Sequence, residues 1–155
     1  MLNTGMPAPG FSLLEKRGNE VSLRDFSGKY VVLFIYPKAN TSGCTLEARE
    51  FAALNGEFEA LGAVVIGLSR DTVEVQAKFA EKYELPYLLL SDPEHKVIEE
   101  YGAWREKPMY GKKIMGTIRS SFIISPDGKI AAVYDKVKPA GHAEAVLQDL
   151  KALIK

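Results

Sequence analysis

The sequence predicts an α/β fold: a mixed central sheet with helices packed on both faces. Three observations carry that expectation. Two continuous apolar runs of strand-forming residues, 30–36 and 63–69, are each followed by a segment of helical periodicity. Both runs are unbroken rather than alternating, which is the pattern of strands buried on both faces. Near the C-terminus, Ser125-Pro-Asp-Gly128 separates two further strand-like runs and is a strong hairpin signal.

The elements follow in order. Residues 1–13 read as an irregular arm that ends in a short edge strand at 11–13. Residues 21–23 open a turn of helix, closed by Asp25-Phe26-Ser27-Gly28. The run 30–36 is the first core strand, and Pro37 stops it because proline cannot donate to a ladder. Asn40, Thr41, Ser42 and Gly43 are turn and cap residues, after which Phe51, Leu54, Phe58 and Leu61 recur at helical spacing and predict a helix over 43–61. Residues 63–69 form the second core strand. Thr72 caps a helix over 73–83, with Val75, Phe79 and Tyr83 on one face. A short strand at 88–90 ends at Ser91-Asp92-Pro93, and Pro93 suits the first position of a helix over 94–101. Residues 102–116, rich in Gly, Lys and Tyr, read as a loop. The runs 118–124 and 129–135 are the hairpin strands, and a last helix covers 141–154 with Ala145, Leu147, Leu150 and Ile154 apolar. The resulting order is β-α-β-α-β-α-β-β-α. A terminal antiparallel hairpin followed by a helix is the pattern of a thioredoxin-like domain. No repeat or linker interrupts the 155 residues, so residues 1–155 are expected to form one domain.

Composition narrows the function. Lys+Arg and Asp+Glu are both 20, and the net charge is zero. Nucleic acid and anionic membranes both demand a cationic face, so neither is an expected partner. The N-terminus has no basic start and no long apolar stretch, so no signal peptide is expected. No run approaches the ~18 apolar residues of a membrane span. The single cysteine excludes an internal disulfide and fits a reducing, cytoplasmic setting. No Cys/His spacing resembles a metal site, and neither a metal nor another cofactor is expected.

That cysteine, Cys44, lies in Tyr36-Pro-Lys-Ala-Asn-Thr-Ser-Gly-Cys-Thr-Leu-Glu47, in the first turn of a helix that follows a central strand. Unpaired amide N–H groups and the positive end of the helix dipole point at that position. Both favour the thiolate, which is the nucleophile. Taken alone, a free cysteine is more often inert core filler. Its setting makes Cys44 a reagent.

These residues resemble a known family. Pro37-x-x-x-Thr41-x-x-Cys44 looks like the peroxiredoxin active-site motif, and the chain is similar to the bacterioferritin-comigratory, or Q-type, peroxiredoxins over nearly its whole length. The opening Gly5-Met-Pro-Ala-Pro-Gly-Phe-Ser-Leu13, the loop Trp104-Arg-Glu-Lys-Pro-Met-Tyr-Gly-Lys-Lys113, the segment Arg119-Ser-Ser-Phe122 and the run Lys136-Val-Lys-Pro-Ala-Gly-His142 all match in order.

The resemblance implies a thiol-dependent peroxidase for hydrogen peroxide and small organic hydroperoxides. The Cys44 thiolate attacks a peroxide oxygen and becomes sulfenic acid. Thr41 carries a hydroxyl to hold the peroxide, Gly43 and Cys44 supply backbone N–H groups, and Arg119 supplies a permanent charge. Pro37 shields the sulfur from water, as the proline does in the family. Glu47, one turn on, orients Arg119 or simply complements the helix dipole. Arg119 without its Ser-Ser-Phe context would read as a surface charge. Two departures stand out: position 49, where many members carry a resolving cysteine, is Arg49, and Ser42 stands where proline is common. The chain therefore resembles a one-cysteine member that uses an external thiol: thioredoxin, a glutaredoxin or a small thiol such as glutathione. It is expected as a monomer or weak homodimer. A thioredoxin-like oxidoreductase is disfavoured because the residue three after Cys44 is Glu47, not cysteine. A peroxide sensor or holdase with little turnover is the alternative of a different class. His95 and His142 are expected to face solvent, Trp104 and Tyr110 to pin a loop or border an entrance, and Lys112-Lys113 to form a solvated pair.

Overall fold

The computed structural model describes residues 2–155. Its elements are β1 (Ser12–Glu15), β2 (Glu20–Ser22), a 3-10 turn (Leu23–Phe26), β3 (Tyr30–Ile35), α1 (Ser42–Ala60), β4 (Ala63–Ser69), α2 (Val73–Tyr83), β5 (Leu88–Ser91), α3 (Lys96–Glu100), β6 (Trp104–Met109), β7 (Lys112–Thr117), β8 (Ser120–Ile124), β9 (Ile130–Tyr134) and α4 (His142–Ile154). A seven-stranded sheet runs β2-β1-β5-β4-β3-β8-β9, and β6 and β7 form a separate ribbon. The strands β3, β4 and β5 are parallel; β1 and β8 join them antiparallel.

The continuous apolar run of β3 is explained by its place between β4 and β8 with both faces covered. Side chains alternate across the pleat. Val32, Phe34 and Tyr36 enter one core with Phe51 and Phe58 of α1, Phe79 of α2 and Val146, Leu147 and Leu150 of α4. Val31, Leu33 and Ile35 enter the other with Ile98 of α3, Tyr101 and Phe122. The rings of Phe34 and Phe51 stack with centroids 4.6 Å apart and 17° between planes. Burying each such ring contributes roughly 1.5–3 kcal/mol. This stack fixes α1 over the C-terminal end of β3, and with it the helix start.

The structure departs from the sequence expectations at several points. The strand expected at the edge over 11–13 is β1, which lies inside the sheet between β2 and β5. The helical turn expected from Val21 begins at Leu23, because Val21 and Ser22 pair with Leu13 and Ser12. The segment 102–116 is the β6–β7 hairpin rather than a loop. Its ends close at Met109↔Lys112, with Tyr110 at φ 52° and Gly111 at φ 75°. Two consecutive positive φ values are those of a type I′ turn, which matches the twist of a two-stranded ribbon. The helix expected from residue 94 is only the short α3, preceded by His95 at φ 52°. His142 is buried rather than solvent-facing: its Nε2 lies 2.8 Å from Ser121 Oγ, and its ring meets Phe51 and Tyr134 edge-on.

Candidate active site

Helix α1 starts directly below the end of β3. Thr41 is the N-cap residue, with φ −83° and ψ 155°, so Ser42, Gly43 and Cys44 occupy the first three helical positions. The first intrahelical bond runs from Thr45 N to Thr41 O, 2.9 Å. The amides of Ser42, Gly43 and Cys44 therefore have no partner within the helix. Thr41 does not cap them with its side chain. Its hydroxyl donates instead to the Lys38 carbonyl at 2.7 Å. With its proton engaged there, the hydroxyl oxygen of the exposed Thr41 keeps its lone pairs as an acceptor.

Cys44 is 1% exposed and is the chain's free thiol. Arg119 reaches it from the segment just before β8: Nη2 donates to Sγ at 3.4 Å, and Nη1 donates to Glu47 Oε1 at 2.8 Å. Cys44 and Glu47 are three residues apart on α1 and share a face, so one guanidinium spans both. Arg119 is held in turn by its main chain, whose carbonyl accepts Val137 N–H at 2.9 Å. Gly43 makes this approach possible. A Cβ there would lie 3.2 Å from Arg119 Nη2 and 3.3 Å from Pro139 Cγ.

The electrostatics are those of a sealed site. Glu47 is fully buried, and burial pushes its carboxyl up to about 7 although the Arg119 charge and hydrogen bond pull it down. Among the described residues its Oε2 has no hydrogen-bond partner. Burial lowers the Arg119 pKa, but the charge of Glu47 and the neighbouring Cys44 outweigh it and the net shift is upward. Burial, with Arg119 nearby, holds His142 down at about 4, so it stays neutral in the physiological range.

Cys44, Glu47, Gly43 and Arg119 thus meet within hydrogen-bonding or van der Waals reach, and Thr41 and Pro37 flank them on the loop between β3 and α1. Pro37 is half-buried. Sequence reasoning missed how that loop is anchored. Asp71 Oδ2 accepts both Ala39 N–H at 2.8 Å and Ser69 Oγ–H at 2.7 Å. Gln76 donates to Ser69 Oγ at 2.9 Å and to the Leu90 carbonyl at 2.8 Å, and it accepts from the buried Tyr36 hydroxyl. On the other side of α1, the Tyr87 hydroxyl donates to the Ala48 carbonyl at 2.6 Å. Only the position of Asp71, between the end of β4 and the Thr72 cap, could have flagged it. Among the described residues no cluster of three or more His, Cys, Asp or Glu could hold a metal, and no helix is long and apolar enough to cross a membrane.

Known proteins carry the same arrangement of chain. The AhpC/TSA family pattern matches residues 4–133. Peroxiredoxin Bcp of Bacillus subtilis is 43% identical over 150 residues, covering 97% of this chain and 96% of its own. Peroxiredoxin Bcp of Escherichia coli shows the same identity and coverage over 150 residues. The Xanthomonas campestris bacterioferritin comigratory protein, which has alkyl peroxide reduction activity, superposes with a TM-score of 0.93 at 37% identity, covering 99% of this chain and 100% of that one. That likeness also bears out the thioredoxin-like fold expected from the order of elements.

Proposed function

The chain belongs to the AhpC/TSA family, as a peroxiredoxin of the Bcp and PrxQ kind and hence a thiol peroxidase, and from that membership we propose that it runs a one-cysteine cycle centred on Cys44. The observation that carries this reading is the 3.4 Å contact between Arg119 Nη2 and the buried sulfur of a chain that has one cysteine.

In the proposed cycle the Cys44 thiolate attacks the nearer oxygen of ROOH. The S–O bond forms as the O–O bond breaks, and the departing RO⁻ leaves as ROH after protonation. Charge moves from sulfur to the departing oxygen. Donors aimed along that axis stabilise the transition state more than the ground state. Arg119 and the free first-turn amides of Gly43 and Cys44 supply them. The Thr41 oxygen accepts the peroxide O–H and orients the O–O bond toward the sulfur. Pro37 keeps bulk water off the sulfur, and Glu47 holds the guanidinium in its plane. The substrates are hydrogen peroxide and small organic hydroperoxides, in line with the alkyl peroxide reduction of the Xanthomonas relative. The resulting sulfenic acid has no second cysteine in the chain, so an external thiol resolves it.

Intact-mass spectrometry after one equivalent of peroxide tests this cycle. The expected product is a gain of one oxygen on Cys44, converted by added thiol to a mixed disulfide, with sulfinic acid at excess peroxide when thiol is absent. A Cys44→Ser variant that still consumes peroxide above background would refute it.

A further inference from the structure

The one-cysteine cycle needs a thiol partner, and a groove lies against the segments that carry the site. It encloses about 410 Å³. Pro37 and Lys38 form one side, on the loop that leads to Thr41 and Cys44. Gly116 and Thr117 form another, two residues before Arg119. The groove thus touches both segments that deliver the reacting groups.

Its lining is apolar and cationic together. Trp104, Ile114 and Met115 supply apolar surface, and the latter two are exposed. Lys38, Arg70 and Lys107 supply three positive charges, and none of the three is in an ion pair among the described residues. The one acid in the lining, Asp71, has Oδ2 occupied by Ala39 N–H and the Ser69 hydroxyl. Two of the cations are pre-positioned. The Arg70 guanidinium lies 4.7 Å from the Trp104 ring centroid, and Trp104 in turn stacks on His95 at 3.9 Å and 7°. Lys107 Nζ donates to the Thr117 carbonyl at 3.2 Å. An arginine placed over a ring face and outside any ion pair keeps guanidinium N–H groups for a carboxylate.

We propose that this groove binds the resolving reductant, and that the reductant is a small thiol carrying carboxylates, of the glutathione class. The proposal rests on the one-cysteine cycle above. Charge complementarity selects the anion: a chain of zero net charge sets three cations, outside any ion pair among the described residues, against the single carboxylate of Asp71 in this groove. Size selects a small molecule. Cys44 is 1% exposed, so any thiol needs the site to open before it meets the sulfur, and a tripeptide needs less opening than a folded protein. In the resolving step the thiol sulfur attacks Cys44–SOH. The S–S bond forms, the S–O bond breaks, and hydroxide leaves with the thiol's proton as water. A second thiol then attacks the small-molecule sulfur of the mixed disulfide, forming the free disulfide and returning Cys44 as thiolate.

The test uses the full chain and the triple variant Lys38→Gln, Arg70→Gln, Lys107→Gln. Cys44 is first oxidised with one equivalent of hydrogen peroxide, and the rate of that step is recorded. The sulfenic acid is then resolved separately by glutathione (anionic), dithiothreitol (neutral) and cysteamine (cationic). The triple variant should oxidise at the wild-type rate and react normally with dithiothreitol. Its glutathione rate should fall about tenfold, and the wild-type glutathione rate should fall with rising salt. Equal variant-to-wild-type ratios for all three thiols, with oxidation intact, would overturn the groove assignment alone. Failure of wild-type Cys44 to form a thiol-reducible oxide would overturn the one-cysteine cycle and this proposal with it. Wild-type resolution by thioredoxin at a rate exceeding that of millimolar glutathione would also overturn it.

Discussion

The guanidinium of Arg119 faces the sulfur of Cys44 at 3.4 Å, and its other arm is locked on the buried carboxylate of Glu47 at 2.8 Å. The two contacts use different nitrogens, so the charge next to the sulfur is positioned by a bond that does not involve the sulfur. Arg119→Met keeps length and removes the charge. The rate of Cys44 oxidation by hydrogen peroxide should drop by about 10²–10³, the usual effect of deleting one preorganised donor. Stopped-flow fluorescence from the single tryptophan, Trp104, or competition with a second peroxidase would follow the step. A rate within a factor of about two of wild type, in a folded variant, would demote Arg119 to a structural residue.

Glu47 carries a pH signature. Its carboxyl is raised from an ordinary 4.5 to about 7 in the folded protein, chiefly by burial. Between those values the folded chain binds more protons than the unfolded one, so stability falls as pH rises from about 4.5 to about 7 and levels off above. The interval sets a ceiling of about 3 kcal/mol. Glu47→Gln keeps the acceptor for Arg119 and cannot titrate. Urea unfolding of both proteins from pH 4.5 to 8 isolates the effect as a difference curve. The variant should gain on wild type as pH rises; a flat difference would mean that Glu47 ionises in the fold as easily as in water.

Asp71 anchors the loop that bears Thr41. Asp71→Ala leaves the buried Ala39 amide without an acceptor, which should cost about 1–3 kcal/mol and slow Cys44 oxidation as the loop loosens. Asp71→Asn retains an oxygen in place and should restore most of both. Identical behaviour of the two variants would show that the charge, not the acceptor, matters.

Thr41→Val separates orientation of the peroxide from support of the loop. The hydroxyl bond to the Lys38 carbonyl is lost in either case. If the oxygen also accepts the peroxide proton, peroxide turnover should fall about tenfold more than alkylation of Cys44 by a neutral reagent. Equal losses in both reactions would confine Thr41 to shaping the loop.

The parts of this site that could be read from sequence are the local ones. The apolar run of β3, the turn residues and the spacing of Phe51 and Phe58 place Cys44 in a first helical turn without reference to anything distant. Arg119 is 75 residues from Cys44 and was legible only through its resemblance to a family segment. Asp71 is 32 residues from Ala39, and no local pattern links a carboxylate after one strand to an amide after another. The β6–β7 ribbon was hidden because it faces solvent on much of its length and contains Pro108, so it shows neither alternation nor clean strand propensity. By sequence alone, His142 reads as a helix-start surface residue. Its burial depends on Ser121, Phe51 and Tyr134 arriving from three other elements.

Arg49 occupies the position where a resolving cysteine would close an internal cycle, and α1 shows what that cycle would demand. The helix is continuous from Ser42 to Ala60, with Cys44 buried and Arg49 exposed, its guanidinium 6.0 Å from the Tyr83 ring. Five residues on an intact helix give ~7.5 Å of rise and ~140° of rotation, so the two Cα atoms lie roughly 8–9 Å apart. A disulfide needs them within about 7 Å. In an Arg49→Cys variant, one equivalent of peroxide should therefore oxidise Cys44 and then unwind the first turn or two of α1 as the disulfide closes. Two free thiols should disappear, helical circular dichroism should drop slightly, and turnover with thioredoxin should appear. Because the opened turn carries Cys44 away from Arg119, the disulfide form should be inert to further peroxide, and the sulfinic acid formed by the one-cysteine chain should be suppressed. Retention of both thiols after that equivalent would show that peroxide does not oxidise Cys44, and closure of the bond with no loss of helix would show that the start of α1 is not the continuous helix on which the site is built.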